Sequence, residues 1–300
     1  MITENTHVEV YQSTGMAEKA RHYWSLLKVR LSFLVVFSGA FGYLLGMSGN
    51  MDWVKFGSLL LGSFLVTGAA NIINQIKEKD LDKLMTRTRN RPLPTGKLTT
   101  QEATIYTLLL ATAGSAILCY LVSPLVAGLS LLSLILYAFV YTPLKQISSI
   151  SVLVGAFPGA MPPLIGWAAA TGAIGFEAFL LFGIQFIWQF PHFWSIAWIG
   201  HDDYTRAGFK MLPSKGGRTL VTALQISIYT LFLIPAGIMP AKFGITGPVS
   251  AVVAVICGTM FLTLSFSLIK TGSRKAALRM MFGSFFYLPI IQIAYLLDKL

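Results

Sequence analysis

Nine apolar runs follow one another along this 300-residue chain, at about 31–48, 54–76, 101–121, 124–141, 150–170, 177–198, 220–240, 247–269 and 277–296. As helices rising 1.5 Å per residue, runs of about 18–23 residues each cross a hydrocarbon core of about 30 Å. A backbone in lipid must satisfy its own hydrogen bonds, which selects helices. The pattern predicts an all-α, polytopic membrane protein with nine transmembrane helices. Gly155, Pro158, Gly159, Pro162, Pro163 and Gly166 crowd the fifth run. They are tolerated in such helices and permit kinks and close packing. Residues 1–24 are polar and lack the apolar stretch and cleavage site of a secretory signal. They read as a short, partly disordered cytoplasmic tail before a single membrane domain, 25–300.

Composition agrees: 55% of residues are hydrophobic and 12% charged, against roughly 25% charged in a soluble domain. A net charge of +11 would suit nucleic acid. The basic residues, however, lie between the apolar runs, where they orient a membrane protein instead. With the N-terminus inside, every Lys and Arg except Lys55, Lys242 and Lys299 falls on the inner side. That bias predicts an odd number of spans and an external C-terminus. Cys119 and Cys257 both sit inside apolar runs and read as packing residues, with no disulfide framework or metal spacing.

Two of the inner loops are long, 77–100 and 199–219. Each follows its span with acids and ends on a similar phrase, LPTGKLT (Leu93 to Thr99) or LPSKGGRT (Leu212 to Thr219). The preceding spans, the second and sixth, are four apart, which suggests a diverged repeat of four helices plus one.

The first loop carries the densest chemistry. Asn74, Glu78 and Asp82 fall at i, i+4 and i+8, so a helix would carry them along one face over roughly 12 Å. Mg²⁺ takes oxygen ligands, keeps several waters, and uses one or two carboxylates plus phosphate oxygens. One amide and two carboxylates fit that need. Asp80 would point about 120° away, as an alternate ligand or a supporting group. Arg87, Arg89 and Arg91 follow, and Arg forks grip phosphate oxygens. Cation and Arg together would hold a diphosphate and stabilise it as it leaves. The bland alternative is a charged loop that serves solubility and orientation. Asn74 resists it, because an amide at the membrane end of an apolar run calls for a partner.

The second loop is preceded by WQFPHFWSIAWIGHDDYTRAGFKMLP, Trp188 to Pro213. His192 lies inside the sixth span beside Pro191 and several aromatics, a setting for a flat aromatic ligand or a plain helix contact. Asp202 and Asp203 lie about three turns on and are candidates for a second cation.

These phrases, with NQIKEKDLDKLMTRTRNRPL, YTPLKQISSISVLVGAFPGAMPPLIGW and LPIIQIAYLLDK, resemble the protoheme IX farnesyltransferases (heme O synthases). That branch belongs to the membrane prenyltransferases related to 4-hydroxybenzoate polyprenyltransferases. The resemblance covers about residues 25–299. It implies nine helices around a central cavity open to the cytoplasm, in a bacterial inner membrane. It implies Mg²⁺ and a diphosphate held between the two acidic loops, with Asn74, Glu78, Asp82, Asp202 and Asp203 as the metal ligands. Asn74, Glu78, Asp82 and Asp203 become the catalytic set, and Arg87, Arg91 and Lys145 the diphosphate-binding set. Glu78 stands where the family pattern has Asp, one methylene longer. The usual Lys-Pro-Arg before the first span reads Lys28, Val29, Arg30. Asp203 and Tyr204 match the second motif, with Asp202 a less regular participant.

The resemblance implies farnesyl transfer from farnesyl diphosphate to a vinyl group of heme b, followed by water capture, giving heme O. Heme b is then a substrate, and Mg²⁺ the cofactor. Trp188, His192 and Tyr204 are the implied heme contacts; Trp188 and Tyr141 could shield an allylic cation. His192 has three open roles: iron ligand, another heme contact, or helix packing. Lys145, Arg206, Lys210 and Lys215 are candidates for the propionates. The implied partners are the lipid bilayer and a downstream heme-modifying enzyme or terminal oxidase, with no nucleic acid. Two rivals remain at this point: prenyl transfer to a quinone precursor, and secondary transport of an anion.

Overall fold

The apolar runs become helices whose ends are set by local chemistry. The computed structural model describes residues 15–214 and 216–300; residues 1–14 and Lys215 lie outside the described residues. In chain order the elements are α1 (Met16–Leu26), α2 (Val29–Gly46), α3 (Trp53–Lys77), α4 (Lys79–Leu84), α5 (Thr100–Leu121) and α6 (Pro124–Ile135). A π-helical segment (Leu136–Tyr141) runs directly into α7 (Thr142–Ile147). There follow α8 (Ser151–Thr171), α9 (Phe176–Ile199), α10 (His201–Arg206), α11 (Leu220–Lys242), α12 (Pro248–Thr271) and α13 (Arg274–Leu297). No β-strand occurs among the described residues.

Eight helices are long and apolar enough to cross a membrane, counting Pro124–Ile147 as one. The expected ninth, α9, is 24 residues long but is not among the eight. Gln185, Gln189 and His192 on its cavity side dilute its apolar character. The structure also departs from the expected disordered tail: α1 begins at Met16. Tyr23 packs edge-on against Tyr106 of α5 at 5.1 Å, and Lys19 pairs with Glu102. An 11-residue helix is marginal alone, and these partners on α5 stabilise it.

Those contacts place the start of the described chain beside the start of α5. The C-terminus lies at the other end of the bundle, where Lys299 Nζ donates to the carbonyl of Leu44 at 3.1 Å and Gly247 N–H to that of Asp298 at 2.6 Å.

Buried apolar side chains form two sets. One joins α1, α3, α5 and α6 around Leu26, Leu59, Ile72 and Leu118. The other joins α9, α11, α12 and α13 around Trp198, Ile226, Leu233 and Tyr295. Helices α2 and α8 contribute to both and form the seam. Their backbones touch: a Cβ at Gly166 would lie 1.9 Å from the Gly39 carbonyl oxygen, and one at Gly42 2.1 Å from that of Pro163. Helix α8 is accordingly the most enclosed span, 72% buried against 22% for α5.

The two halves echo each other at the long loops. A short helix, α4 or α10, follows a long one. Further along, just before the next long helix, stands a glycine of positive φ, Gly96 (73°) or Gly217 (72°). A threonine then caps the following helix: Thr99 accepts from Glu102 N–H, and Thr219 from Thr222 N–H. The similar phrases LPTGKLT and LPSKGGRT code for this shared turn.

Candidate active site

Between the halves lies a cavity of about 2100 Å³ of empty space, counting its open part. Its walls are α2, α3, α6 to α7, α8, α9 and α13, while α5, α11 and α12 contribute no lining residue. The two long loops close over one end, and Asp82, Arg87, Arg91, Tyr204, Phe209 and Met211 reach the cavity from them.

At this end the first motif is assembled. Helix α3 ends at Lys77, and Glu78 forms the break before α4, so the face is not one continuous helix. Asn74, Glu78 and Asp82 nonetheless all line the cavity and are buried. Asp80 turns outward and pairs with Lys83 at 2.7 Å, its side chain 84% exposed.

The amide of Asn74 has a fixed orientation. The Thr142 hydroxyl donates to the Tyr137 carbonyl at 2.8 Å, so its lone pair accepts from Asn74 Nδ2 at 3.2 Å. This leaves Asn74 Oδ1 as an acceptor, 3.2 Å from Lys28 Nζ. The Thr142–Tyr137 bond spans five residues and supports the π-helical turn, a feature frequent at functional sites. Both π-segment tyrosines, Tyr137 and Tyr141, line the cavity.

Each acid has a basic partner. Glu78 accepts from Lys145 Nζ at 2.7 Å, and Asp82 Oδ2 from Arg91 Nη1 at 2.8 Å. Lys145 also lies over the Tyr141 ring at 4.6 Å. Lys28 is the only described non-glycine residue with positive φ, 47°. The turn that aims it inward is held by α3: Gln75 Nε2 donates to the Leu26 carbonyl at 2.7 Å and Asn71 Nδ2 to that of Leu27 at 3.3 Å. Burial, with the charges of Arg91 and Lys145, pushes the Lys28 ammonium down to about 7.

One atom of this cluster has no partner. Asp82 Oδ1 is buried without a hydrogen bond, and Asp82 lines the cavity. A buried carboxylate oxygen left alone is costly, and a cation satisfies it. Among the described residues no three His, Cys, Asp or Glu side chains gather into a metal cage. The donor set is therefore poor for a metal held by protein alone and fits Mg²⁺, which shares its sphere with water and phosphate.

The second loop is placed differently. Asp202 points outward, 77% exposed, and pairs with Arg218 at 3.1 Å, so it is not brought to the cavity. Asp203 also stands outside the lining; it clamps the two loops together. Its carboxylate pairs with Arg206 and accepts from the N–H groups of Thr86 and Arg87, each at 3.4 Å. Partial burial works to raise its pKa, but these donors outweigh it and hold the carboxyl below its ordinary range. The clamp sets Arg87, whose Nη2 donates to the Tyr204 hydroxyl at 2.9 Å. Arg206 joins the clamp through Thr86, Lys210 Nζ donates to the Ile147 carbonyl, and Arg30 and Arg89 do not line the cavity. Lys215 lies outside the described residues.

Deeper in, aromatic side chains take over. Lys145 leads to Tyr141, Tyr141 to Phe193 at 6.5 Å, and Phe193 to His192 at 5.6 Å between ring centres. His192 stacks on Trp188 at 4.4 Å and 16°. Residues unremarked in the sequence also line this part: Ser38, Gln185, Gln189 and Gln292. Ser38 donates to Gln185 Oε1 at 2.6 Å, and Gln292 Nε2 to Ser38 at 2.8 Å. The spacing of Gln185, Gln189 and His192, at i, i+4 and i+7 in an apolar run, was the signal that would have found them.

Comparison with known proteins places these features. The model of the UbiA prenyltransferase family matches residues 35–288. A protoheme IX farnesyltransferase of Cytophaga hutchinsonii is 50% identical over 95% of this chain and 100% of its own length. One of Flavobacterium psychrophilum is 46% identical over 91% and 93%. Among solved structures, one of digeranylgeranylglyceryl phosphate synthase superposes with a TM-score of 0.77 at 18% identity, covering 94% of this chain and 98% of that one. A UbiA homolog from Archaeoglobus fulgidus bound to GPP and Mg²⁺ gives 0.70 at 13% identity over 91% and 99%. The fold is thus that of these membrane prenyltransferases, and the chain belongs to the UbiA prenyltransferase family, in its protoheme IX farnesyltransferase branch.

Proposed function

We propose that this protein transfers the farnesyl group of farnesyl diphosphate to a vinyl group of heme b, with addition of water, giving heme O and diphosphate. The observation that carries the reading is the single cavity, with paired acids and bases at its loop end and the Trp188–His192 stack deeper in. The diphosphate belongs at the loop end, among Lys28, Arg87, Arg91 and Lys145. Asn74, Glu78 and Asp82 hold Mg²⁺ there, and Asp82 Oδ1 is the oxygen left free for it. When bound, Mg²⁺ neutralises the diphosphate and makes it a better leaving group. The bases share that charge, and their buried setting strengthens the effect.

The farnesyl chain then lies along the apolar walls of α2, α3 and α8. Ionisation of its carbon–oxygen bond leaves an allylic cation, which Tyr141 and Trp188 face with their rings. Heme lies against Trp188, His192 and Tyr204, where its vinyl group meets the cation. The protein forms no covalent bond; it supplies position and fixed charge. Asp203 acts by holding Arg87, and Asp202 has no part in the site.

Orientation follows the charge bias: loop end and N-terminus in the cytoplasm, C-terminus outside. The test is a product assay in detergent with heme b, farnesyl diphosphate and Mg²⁺. Heme O must form, and both EDTA and Asp82→Ala must abolish it. If heme b is untouched while a 4-hydroxybenzoate acceptor is prenylated, the assignment of the acceptor is wrong.

A further inference from the structure

The hydrogen bonds around His192 determine its tautomer. Ser284 of α13 donates its hydroxyl proton to the Met281 carbonyl at 2.6 Å. That oxygen has no second proton, so in the contact of 2.8 Å with His192 Nδ1 the imidazole is the donor. His192 therefore carries its proton on Nδ1 and a lone pair on Nε2. The ring cannot turn easily. Trp188 lies flat against it and is itself tied to α13, its Nε1 donating to the Ser284 carbonyl at 3.0 Å. Phe285 meets it edge-on at 5.0 Å.

His192 Nε2 takes no hydrogen bond among the described residues, and the side chain lines the cavity. Gln189 stands one turn away on the same face, where side chains at i and i+3 lie about 5–6 Å apart. Its amide is fixed as well: Nε2 donates to the Gly159 carbonyl at 2.9 Å, which makes Oε1 the free end. Gly159 has no side chain for a reason, since a Cβ there would fall 2.7 Å from Gln189 Nε2. The cavity wall thus presents two acceptors one helical turn apart. A water that gives one hydrogen to each turns its own lone pair into the cavity.

We propose that His192 is the base of the hydration step, and that Nε2 together with Gln189 Oε1 holds the attacking water. The inference rests on the farnesyl transfer proposed above. In that reaction the carbon–oxygen bond of farnesyl diphosphate breaks and its electron pair leaves with diphosphate. The vinyl π pair forms the new carbon–carbon bond, and the vinyl carbon next to the porphyrin becomes cationic. The water lone pair bonds to that carbon. One O–H bond breaks, its pair stays on oxygen, and the proton goes to His192 Nε2. The imidazolium returns that proton to solvent through the cavity mouth. Ser284 is a positioning residue that keeps Nε2 free.

The test reads product identity as well as rate. Wild type, His192→Ala, Gln189→Leu and Ser284→Ala are purified in nanodiscs with heme b, farnesyl diphosphate and Mg²⁺ in ¹⁸O-water. Products are separated and weighed, and heme b binding is followed by its absorption band. Wild type is expected to give only hydroxylated, ¹⁸O-labelled product. In His192→Ala the trapped cation loses a carbon-bound proton instead, and an alkene lighter by one water appears. Its hydroxylated share falls at least tenfold, while the heme b that binds keeps its absorption band in place. Gln189→Leu and Ser284→Ala shift the product ratio the same way to a smaller extent, and decide the matter if His192→Ala does not fold. An unchanged ratio in these variants overturns the proposal. So does loss of heme binding with a moved absorption band in His192→Ala, the mark of an iron ligand. A wild type that makes no farnesylated heme at all overturns the reading of function itself.

Discussion

Replacing Gly166 by alanine tests how tightly the two halves are joined. The added Cβ would sit 1.9 Å from the Gly39 carbonyl oxygen and 2.7 Å from Tyr43 N. Both are backbone atoms of α2, so no side-chain rotation relieves the clash. Ordinary contact begins near 3.4 Å, and α2 and α8 must part locally by about 1.5 Å to reach it, which an interior packed like a crystal resists. Overpacking a well-filled site costs about 1–3 kcal/mol. With backbone on both sides, the upper end applies, about 3 kcal/mol. Scaled by the entropy of unfolding of a 300-residue chain, that lowers the melting temperature by roughly 5 °C. The assay is a melt of purified protein in one detergent, followed by tryptophan fluorescence. Gly42→Ala, whose Cβ meets the Pro163 carbonyl at 2.1 Å, is expected to fall by a similar amount. Gly183→Ala in α9 is the control. Nothing lies within 4 Å of its added carbon, and alanine is the better helix former by about 1 kcal/mol. If Gly166→Ala and Gly183→Ala melt together with wild type, the close seam between α2 and α8 is refuted.

Four further outcomes separate the acids. Asp82→Asn removes the charge beside the unpartnered oxygen and is expected to lower farnesyl transfer about 100-fold, in the range of a lost electrostatic contact in a transition state; Asp80→Asn, on the outer face, leaves the rate at wild type in the same product assay. Asp202→Asn is likewise expected to leave the rate unchanged, since Asp202 pairs outside the cavity with Arg218. Asp203→Asn loosens Arg87 without touching the deeper cavity, so steady-state kinetics should show KM for farnesyl diphosphate rising several-fold with a smaller change in kcat.

The spans were legible because lipid demands a simple pattern. The run read as 31–48 is α2 at Val29–Gly46, and that read as 101–121 is α5 at Thr100–Leu121. Helical spacing set Asp80 off the face of its neighbours as an alternate ligand or supporting group, whereas the structure pairs it with Lys83 outside the cavity. What escaped depends on partners from elsewhere in the chain. The break at Glu78 sits where Lys145, from another span, pulls on its carboxylate. Neighbouring aspartates 202 and 203 divide between solvent and clamp because the N–H groups of Thr86 and Arg87 come to only one of them. The left-handed turn at Lys28 is held by amides of α3, forty and more residues away. The polar stripe of Gln185 and Gln189 was visible in principle, but it lies hidden in a run whose aromatic residues dominate.

The pairing of each acid with a base has a consequence for how the site meets ions. At rest Asn74, Glu78 and Asp82 are held by Lys28, Lys145 and Arg91. An anion that draws away the bases strands buried carboxylates, and a cation that takes the carboxylates strands buried bases; either loss is expensive. When both arrive, the internal pairs simply trade partners. Diphosphate and Mg²⁺ are therefore expected to bind with strong positive coupling, each tightening the other by the same factor, as linkage requires. The resting protein behaves as an ion exchanger that is already loaded with its own counter-ions, and it refuses half of a salt.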